Sequence, residues 1–191
     1  EFKKRYLSNP EHSNVFKGKA VVFEGPEDYH KRINSKNLKV DENSILIIRG
    51  CGPVGYPGAA EVVNMQPPDR LLKKGINALP TLGDGRQSGT SESPSILHVS
   101  PESAVGGDLA IIKTGDKMCI DLNKRRVDLL ISKIEFSKRR KRKKIPKLDN
   151  QTPWQEISRS NVGQLEDGAC IRSRGLYMDI AQKKGIPRNN H

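Results

Sequence analysis

Ser44-Ile45-Leu46-Ile47-Ile48-Arg49 is the segment that most limits the folds open to this chain. A continuous, largely β-branched run has no polar face, so it reads as a strand buried on both faces, the kind a parallel sheet holds at its centre. Lys19-Ala20-Val21-Val22-Phe23 reads as a second strand, and Pro26 opens a helix running through Ile33. Such clusters argue for a folded body with polar tails, although only 34% of the 191 residues are hydrophobic. No apolar run approaches the roughly 20 residues needed to span a bilayer, and Glu1-Phe2-Lys3-Lys4-Arg5 is not followed by the apolar stretch of a secretory signal. We therefore expect a soluble chain with no membrane association. Cys51, Cys119 and Cys170 are widely spaced and lack a Cys-x-x-Cys pair, which suits a reducing, cytoplasmic compartment and offers no complete soft-metal site.

The central strand delivers Gly50-Cys51-Gly52-Pro53-Val54-Gly55-Tyr56-Pro57-Gly58, which formally contains G-x-G-x-x-G. A dinucleotide turn needs a helix to start at the second glycine, and Pro57 would break it. We read a rigid Gly/Pro loop that brings backbone close to a ligand or another domain, with a helix expected only over Gly58 to Met65. That helix would place Glu61 in its first turn, where the dipole favours a carboxylate, and the residues alone favour that role for it. Pro67-Pro68 restarts a helix over Asp69 to Lys74, closed by Gly75. From Leu82 to Ser95 runs a loop rich in glycine and serine, between strand-like segments at Ala78 to Leu82 and Ser95 to Val99. It is longer than most connections, and a polar loop of this length on a rigid scaffold reads as a site.

Further on, Ser100-Pro101 starts a short helical turn ended by Gly106-Gly107, and three strands are expected over Asp108 to Lys113, Lys117 to Leu122 and Arg126 to Ile131, a β-meander. Ser132-x-x-Glu135 is a capping-box signature for a helix that runs out into Lys138-Arg139-Arg140-Lys141-Arg142-Lys143-Lys144. That run carries seven of the charges behind the formal +12, so the basicity is local and nucleic acid is not the expected partner. It reads as a solvated helix end, with an import signal or a nucleic-acid contact as the alternative. The chain divides into a lead-in over residues 1–18, a body over 19–145 and a C-terminal arm over 146–191. In the arm, Trp154 and the stripe Leu176, Tyr177, Ile180 and Ala181 suit packing on the body or on a neighbouring subunit.

Several motifs in order resemble one family. They are Gly52 to Val62, Asp84-Gly85-Arg86-Gln87-Ser88-Gly89-Thr90, His98 to Gly107, and Asp121-Leu122-x4-Val127-Asp128-Leu129-Leu130-Ile131. They resemble the C-terminal domain of the dihydroxy-acid and 6-phosphogluconate dehydratases. Gly55-Tyr56-Pro57-Gly58, Arg86 to Ser91 and Thr152-Pro153-Trp154-Gln155 are most similar to its sugar-acid branch, the aldonate dehydratases. The resemblance implies an α/β, β-rich swivelling β/β/α domain, with a mixed sheet closed into a barrel and a few covering helices. It implies an iron-sulfur, Mg²⁺-dependent hydro-lyase that converts a sugar acid to a 2-keto-3-deoxy acid. In that reading Ser88 is the serine base, Thr90 the neighbouring hydroxyl, Glu61 a Mg²⁺ ligand, and His191 a terminal histidine reaching toward substrate.

A serine acts as a base only where a nearby cation lowers its pKa, and a carboxylate oxygen is the hard ligand Mg²⁺ prefers, so the residue types suit that chemistry. The family's cluster cysteines and the rest of its Mg²⁺ site belong to a larger N-terminal domain, and Cys51, Cys119 and Cys170 do not match them. The resemblance thus implies a half-site: a homo-oligomerising domain whose partner is the N-terminal dehydratase domain, inactive by itself. The other class of function is a non-catalytic module that binds nucleic acid or an import receptor through 138–144.

Overall fold

The computed structural model describes residues 14–88, 94–143, 145 and 152–185. Six strands form one mixed sheet: β1 (Val15–Glu24), β2 (Ser44–Arg49), β3 (Thr81–Gly83), β4 (Ser95–Ile96), β5 (Lys117–Asp121) and β6 (Arg126–Leu129). Their order across the sheet is β4-β3-β2-β1-β5-β6. The first four are mutually parallel, and β5 and β6 add an antiparallel hairpin beyond β1. The α/β, β-rich class and the mixed sheet are as expected. Among the described residues β4 and β6 end the ladder, so the sheet curls as a half-barrel rather than closing completely.

Register explains why β2 needs no polar face. Val21 pairs with Leu46 and Phe23 with Ile48, and these four side chains enter one apolar cluster with Tyr29, Val63, Met65 and Leu71. Their neighbours Ala20, Val22, Ile45 and Ile47 point the other way, into a second cluster with Phe16, Leu82, Leu109 and Met118. Ile45 through Ile48 are all fully buried. Alternation along each strand therefore feeds two cores, one per face. β1 begins at Val15, earlier than the expected Lys19, because Val15 to Lys19 pair with β5.

Helix α1 (Pro26–Arg32) covers the first face. Pro26 opens it, and the Asp28 carboxylate accepts the Glu24 amide at 2.9 Å. Arg32 pairs with Asp28 at 2.8 Å and lies over the Phe23 ring. Tyr29 does more than pack. Its hydroxyl accepts the Gln66 amide at 2.8 Å and donates to the Gln66 carbonyl at 3.1 Å, while burial pushes the phenol pKa up. It thus ties α1 to the chain that leads away from Glu61.

Two expected elements are absent, and several are shorter, β4 covering only Ser95–Ile96 of the expected Ser95 to Val99 and β6 only Arg126–Leu129 of the expected Arg126 to Ile131. Gly58 to Met65 is not helical: Gly58 and Ala59 take positive φ of 83° and 60°, and the amides of Ala59 and Val63 bond to Cys51, Gly52 and Arg86 carbonyls rather than within a helix. Asp108 to Lys113 is not a strand; Asp108–Ile111 forms a 3₁₀ turn whose last carbonyls are claimed by arginine side chains. Helix α2 is confined to Asp69–Leu72, with a turn to Gly75. Helix α3 (Lys133–Arg142) starts where the Ser132 hydroxyl accepts the Glu135 amide at 3.1 Å, and α4 (Pro153–Asn161) carries a full Thr152/Gln155 capping box. A last helix, α5, spans Arg174–Lys184.

Tyr29→Phe removes a buried hydroxyl and its hydrogen bonds to the backbone N–H and C=O of Gln66. We expect it to lower stability by about 1–3 kcal/mol, read as a lower urea midpoint with an unchanged slope.

Candidate active site

Parallel strands β2 and β3 end on the same edge, and open α/β sheets place their ligands outside such carboxyl ends. Here β2 releases the loop from Gly50 to Ala60, and β3 releases Asp84 to Ser88. The two segments then run side by side. The Arg86 amide donates to Ala60 O at 3.1 Å, the Val63 amide to Arg86 O at 3.0 Å, and Glu61 faces Arg86 across a parallel bridge. One step further, the Ser88 amide donates to the Asn64 side chain at 3.1 Å. The candidate base and the candidate metal ligand therefore sit on adjacent, hydrogen-bonded segments.

Glu61 is not a helix charge. Its Oε1 accepts Arg86 Nη2 at 2.9 Å, and both side chains are about half exposed, at 47% and 54%. An ion pair this open is worth little to stability, so its place in the fold comes from the backbone bridge beneath it. Ser88 is half-buried. Thr90 and His191 lie outside the described residues, as does the rest of the loop from Gly89 to Ser93.

The loop between β2 and Glu61 is held from inside by two carboxylates, Asp84 and Glu102, each with no exposed surface. Asp84 accepts the amides of Gly50 at 3.1 Å, Cys51 at 2.9 Å and Ser103 at 2.9 Å, and the Ser103 hydroxyl at 2.7 Å. Glu102 accepts the amides of Val54 at 2.8 Å and Gly55 at 2.9 Å. Its Oε1 also takes the Gln164 side-chain amide at 2.8 Å, while Gln164 Oε1 accepts the Glu102 backbone amide at 3.0 Å. Charged acceptors make the stronger protein hydrogen bonds, and buried carboxylates tolerate burial only when so saturated. Two loop glycines are required by contact: a Cβ on Gly52 would stand 2.4 Å from Glu102 Oε2, and one on Gly55 would stand 2.2 Å from Gly50 O.

Asp84, Glu102, Ser103, Gln164, Asn64 and the side chain of Arg86 were not assigned roles from the sequence. Glu102 and Asp84 carry one available signal, an acid immediately after Pro101 or beside Gly83 where a solvated charge has no obvious work. Most of their partners are backbone amides more than thirty residues away, and the nearest, Ser103, is 19 residues from Asp84, which no local pattern reveals.

Among the described residues no group of three or more His, Cys, Asp or Glu side chains could hold a metal ion. Glu61 alone fits one hard-oxygen position, and Mg²⁺ usually takes one or two protein carboxylates with water and substrate completing its shell. The described cysteines do not fit an iron-sulfur cluster. Cys51 and Cys119 are buried and free, and burial together with the nearby Asp84 charge pushes the Cys51 thiol far up, against the thiolate such ligation needs.

Residues 4–169 match the family model described as dihydroxy-acid/6-phosphogluconate dehydratase, C-terminal, and the chain belongs to that family. Within it, the similarity is to sugar-acid dehydratases. The chain is 56% identical to the D-xylonate dehydratase of Caulobacter vibrioides over 192 residues, covering 100% of this chain and 32% of that protein. It is 50% identical to the L-arabinonate dehydratase of Rhizobium leguminosarum bv. trifolii over 128 residues, 67% of this chain and 22% of the relative. A dihydroxy-acid dehydratase of Thermodesulfovibrio yellowstonii is 38% identical over 157 residues, 82% of this chain and 28% of the relative. The chain thus spans about a third or less of the relatives it matches.

Two outcomes test the site's frame. Glu102→Leu removes the acceptor of three donors at once, the Val54 and Gly55 amides and the Gln164 side chain, and should cost more than about 3 kcal/mol in denaturant unfolding. Thiol labelling of the native chain should modify Cys170 readily and leave Cys51 and Cys119 unmodified until the chain is unfolded, because only Cys170 is partly exposed.

Proposed function

We propose that this chain supplies one side of a sugar-acid dehydratase active site, with Ser88 as the base for the C2 proton and Glu61 as a Mg²⁺ ligand. The observation that carries the reading is the pairing of the 60–64 and 84–88 segments, which brings the carboxylate and the serine to one edge of a rigid parallel sheet. When bound in the whole enzyme, Mg²⁺ and an iron-sulfur cluster would supply charge stabilisation at the substrate carboxylate and 2-hydroxyl and Lewis acidity at the 3-hydroxyl.

The protein's own work is then positional and acid–base. Ser88 Oγ, as alkoxide, takes the C2 proton; the C2–H electron pair forms the C2=C3 bond as the 3-hydroxyl departs as hydroxide, the proton held by Ser88 then converts that hydroxide to water and restores the alkoxide, and the resulting enol tautomerises to the 2-keto-3-deoxy acid. The Asn64 side chain holds the Ser88 backbone, and Arg86 orients Glu61. Thr90 is the second hydroxyl of the loop and His191 a substrate contact. The remaining ligands and the cluster cysteines come from the N-terminal part of the enzyme, so this chain has no dehydratase activity alone. Its C-terminal arm exposes Trp154 (80%), Ile157 and Met178, which suits contact with that part or with a second subunit. Cys51 and Cys119, buried and outside any disulfide, accord with a cytoplasmic setting.

The test is reconstitution. Combining this chain with a separately produced N-terminal part, loaded with cluster and Mg²⁺, should restore turnover of an aldonate such as D-xylonate. Ser88→Ala should then lower kcat by about 10²–10⁴ while the complex still assembles. Equal turnover by the alanine variant would remove Ser88 from the base role, and failure of the wild-type pair to assemble would remove the half-site reading itself.

A further inference from the structure

The basic run is absorbed by none of the chemistry above. α3 presents it in two ways. Arg139 turns inward: its guanidinium meets both oxygens of Asp116, the closer at 2.5 Å, Glu135 at 2.7 Å and the Ile111 carbonyl at 3.2 Å. Its side chain is only 12% exposed. Lys138 and Arg142, a turn apart on the same helix, remain exposed and border a cleft between α3 and the end of the Asp108–Ile111 turn. The cleft encloses about 440 Å³, within the range of small-molecule sites.

Its electrostatics are one-sided. Lys113 and Lys143 join Lys138 and Arg142 in the lining, together with the largely buried Arg49 and Arg139. Glu135 is the one carboxylate among the lining residues, and its hydrogen bond from Arg139 holds it below the usual carboxylate range. Nearby acids are committed: Glu24 to Arg49, Asp116 to Arg139, and Asp108 to Arg140 at 3.6 Å. Arg49 further spends Nη1 on the carbonyls of Leu109 and Ile112, each at 2.9 Å, and Lys143 donates to the Gly106 carbonyl. Among the described residues no carboxylate lies within ion-pair distance of Lys113, Lys138 or Arg142. Counting Glu24 and Asp116 with the lining, three positive charges are left uncompensated in one recess. Like charges held this close repel, and an anion relieves them.

The chemistry of the lining selects the kind of anion. The remaining wall is Ala110, Ile111 and Ile112, with no aromatic ring for a base to stack on. A ligand must therefore be recognised by charge. Several phosphoryl oxygens on one compact group match three clustered cations, and guanidinium and ammonium groups are the usual phosphate donors. We infer that the cleft between α3 and the 108–112 segment is a binding site for a polyphosphate group. The site is independent of the dehydratase reading, since none of its residues belongs to the Glu61–Ser88 edge.

Titration calorimetry of the 191-residue chain with inorganic tripolyphosphate at low ionic strength tests it. Expected is saturable binding at one site per chain, weakened by salt, and about tenfold or more weaker in Lys138→Gln/Arg142→Gln. Both side chains are exposed, so the variant folds, and circular dichroism checks that it does. Lys36→Gln/Lys39→Gln removes equal charge from exposed lysines in the connection entering β2 and should leave binding unchanged. Equal weakening in the two double variants, or heat that never saturates, overturns the site in favour of diffuse attraction. Binding of random duplex DNA with no response to tripolyphosphate overturns it in favour of a nucleic-acid surface.

Discussion

Asp84 and Glu102 accept hydrogen bonds from five backbone amides, from the Ser103 hydroxyl and from the Gln164 side chain, all in the interior. The residues between β2 and Glu61 have no helix or strand to give them shape. Their conformation is set because each buried oxygen has donors at fixed positions along the chain, so that moving Val54 or Gly55 outward would leave an ion in a dry interior without partners. Everything at the sheet edge follows from this. Gly50 stays at the end of β2, Ala60 comes back to meet Arg86, and the Glu61 carboxylate emerges one residue later at the surface.

The central strands were legible because their signal is local. A run such as Ile45 to Ile48, with no polar residue, has one stable placement in a protein of this size, and the two cores on either side confirm it. Proline and capping signals were equally local, and α1, α3 and the α4 capping box stand where Pro26, Ser132 and Thr152 put them. The same reasoning failed at Leu109-Ala110-Ile111-Ile112. An apolar run this short is compatible with strand or turn, and the choice is made from outside by Arg49 and Arg139, which take carbonyls that a neighbouring strand would otherwise have used. At Gly58 to Met65 the helix lost to a competitor of the same kind: carbonyls on the 50–52 and 84–88 segments offered the amides better-placed partners.

The site divides along the same line. Ser88 and Glu61 were picked out by motif, and the structure brings their segments together. Periodicity carries no information about that meeting, since it depends on residues 24 and 25 apart in the chain choosing each other across two loops. Arg86 stood in the recognised motif without a role, and its guanidinium proves to be the partner of Glu61. Asn64 gave no signal at all.

The mutual bond between Glu102 and Gln164 joins the interior of the loop to a residue in the C-terminal arm, beyond the last helix of the sheet layer. It sets the limits of what can be cut or recombined. A fragment designed to stop at the basic helix would keep all six strands yet open the carboxylate to water at its most confined point. A chimera that took its arm from another dehydratase would need a side chain offering both a donor and an acceptor where Gln164 now stands. The contacts that hold the buried loop thus reach well past the place where the hydrophobic pattern ends, through the Gln164 side chain and the Glu166 amide, which donates to the Ser100 hydroxyl at 3.3 Å.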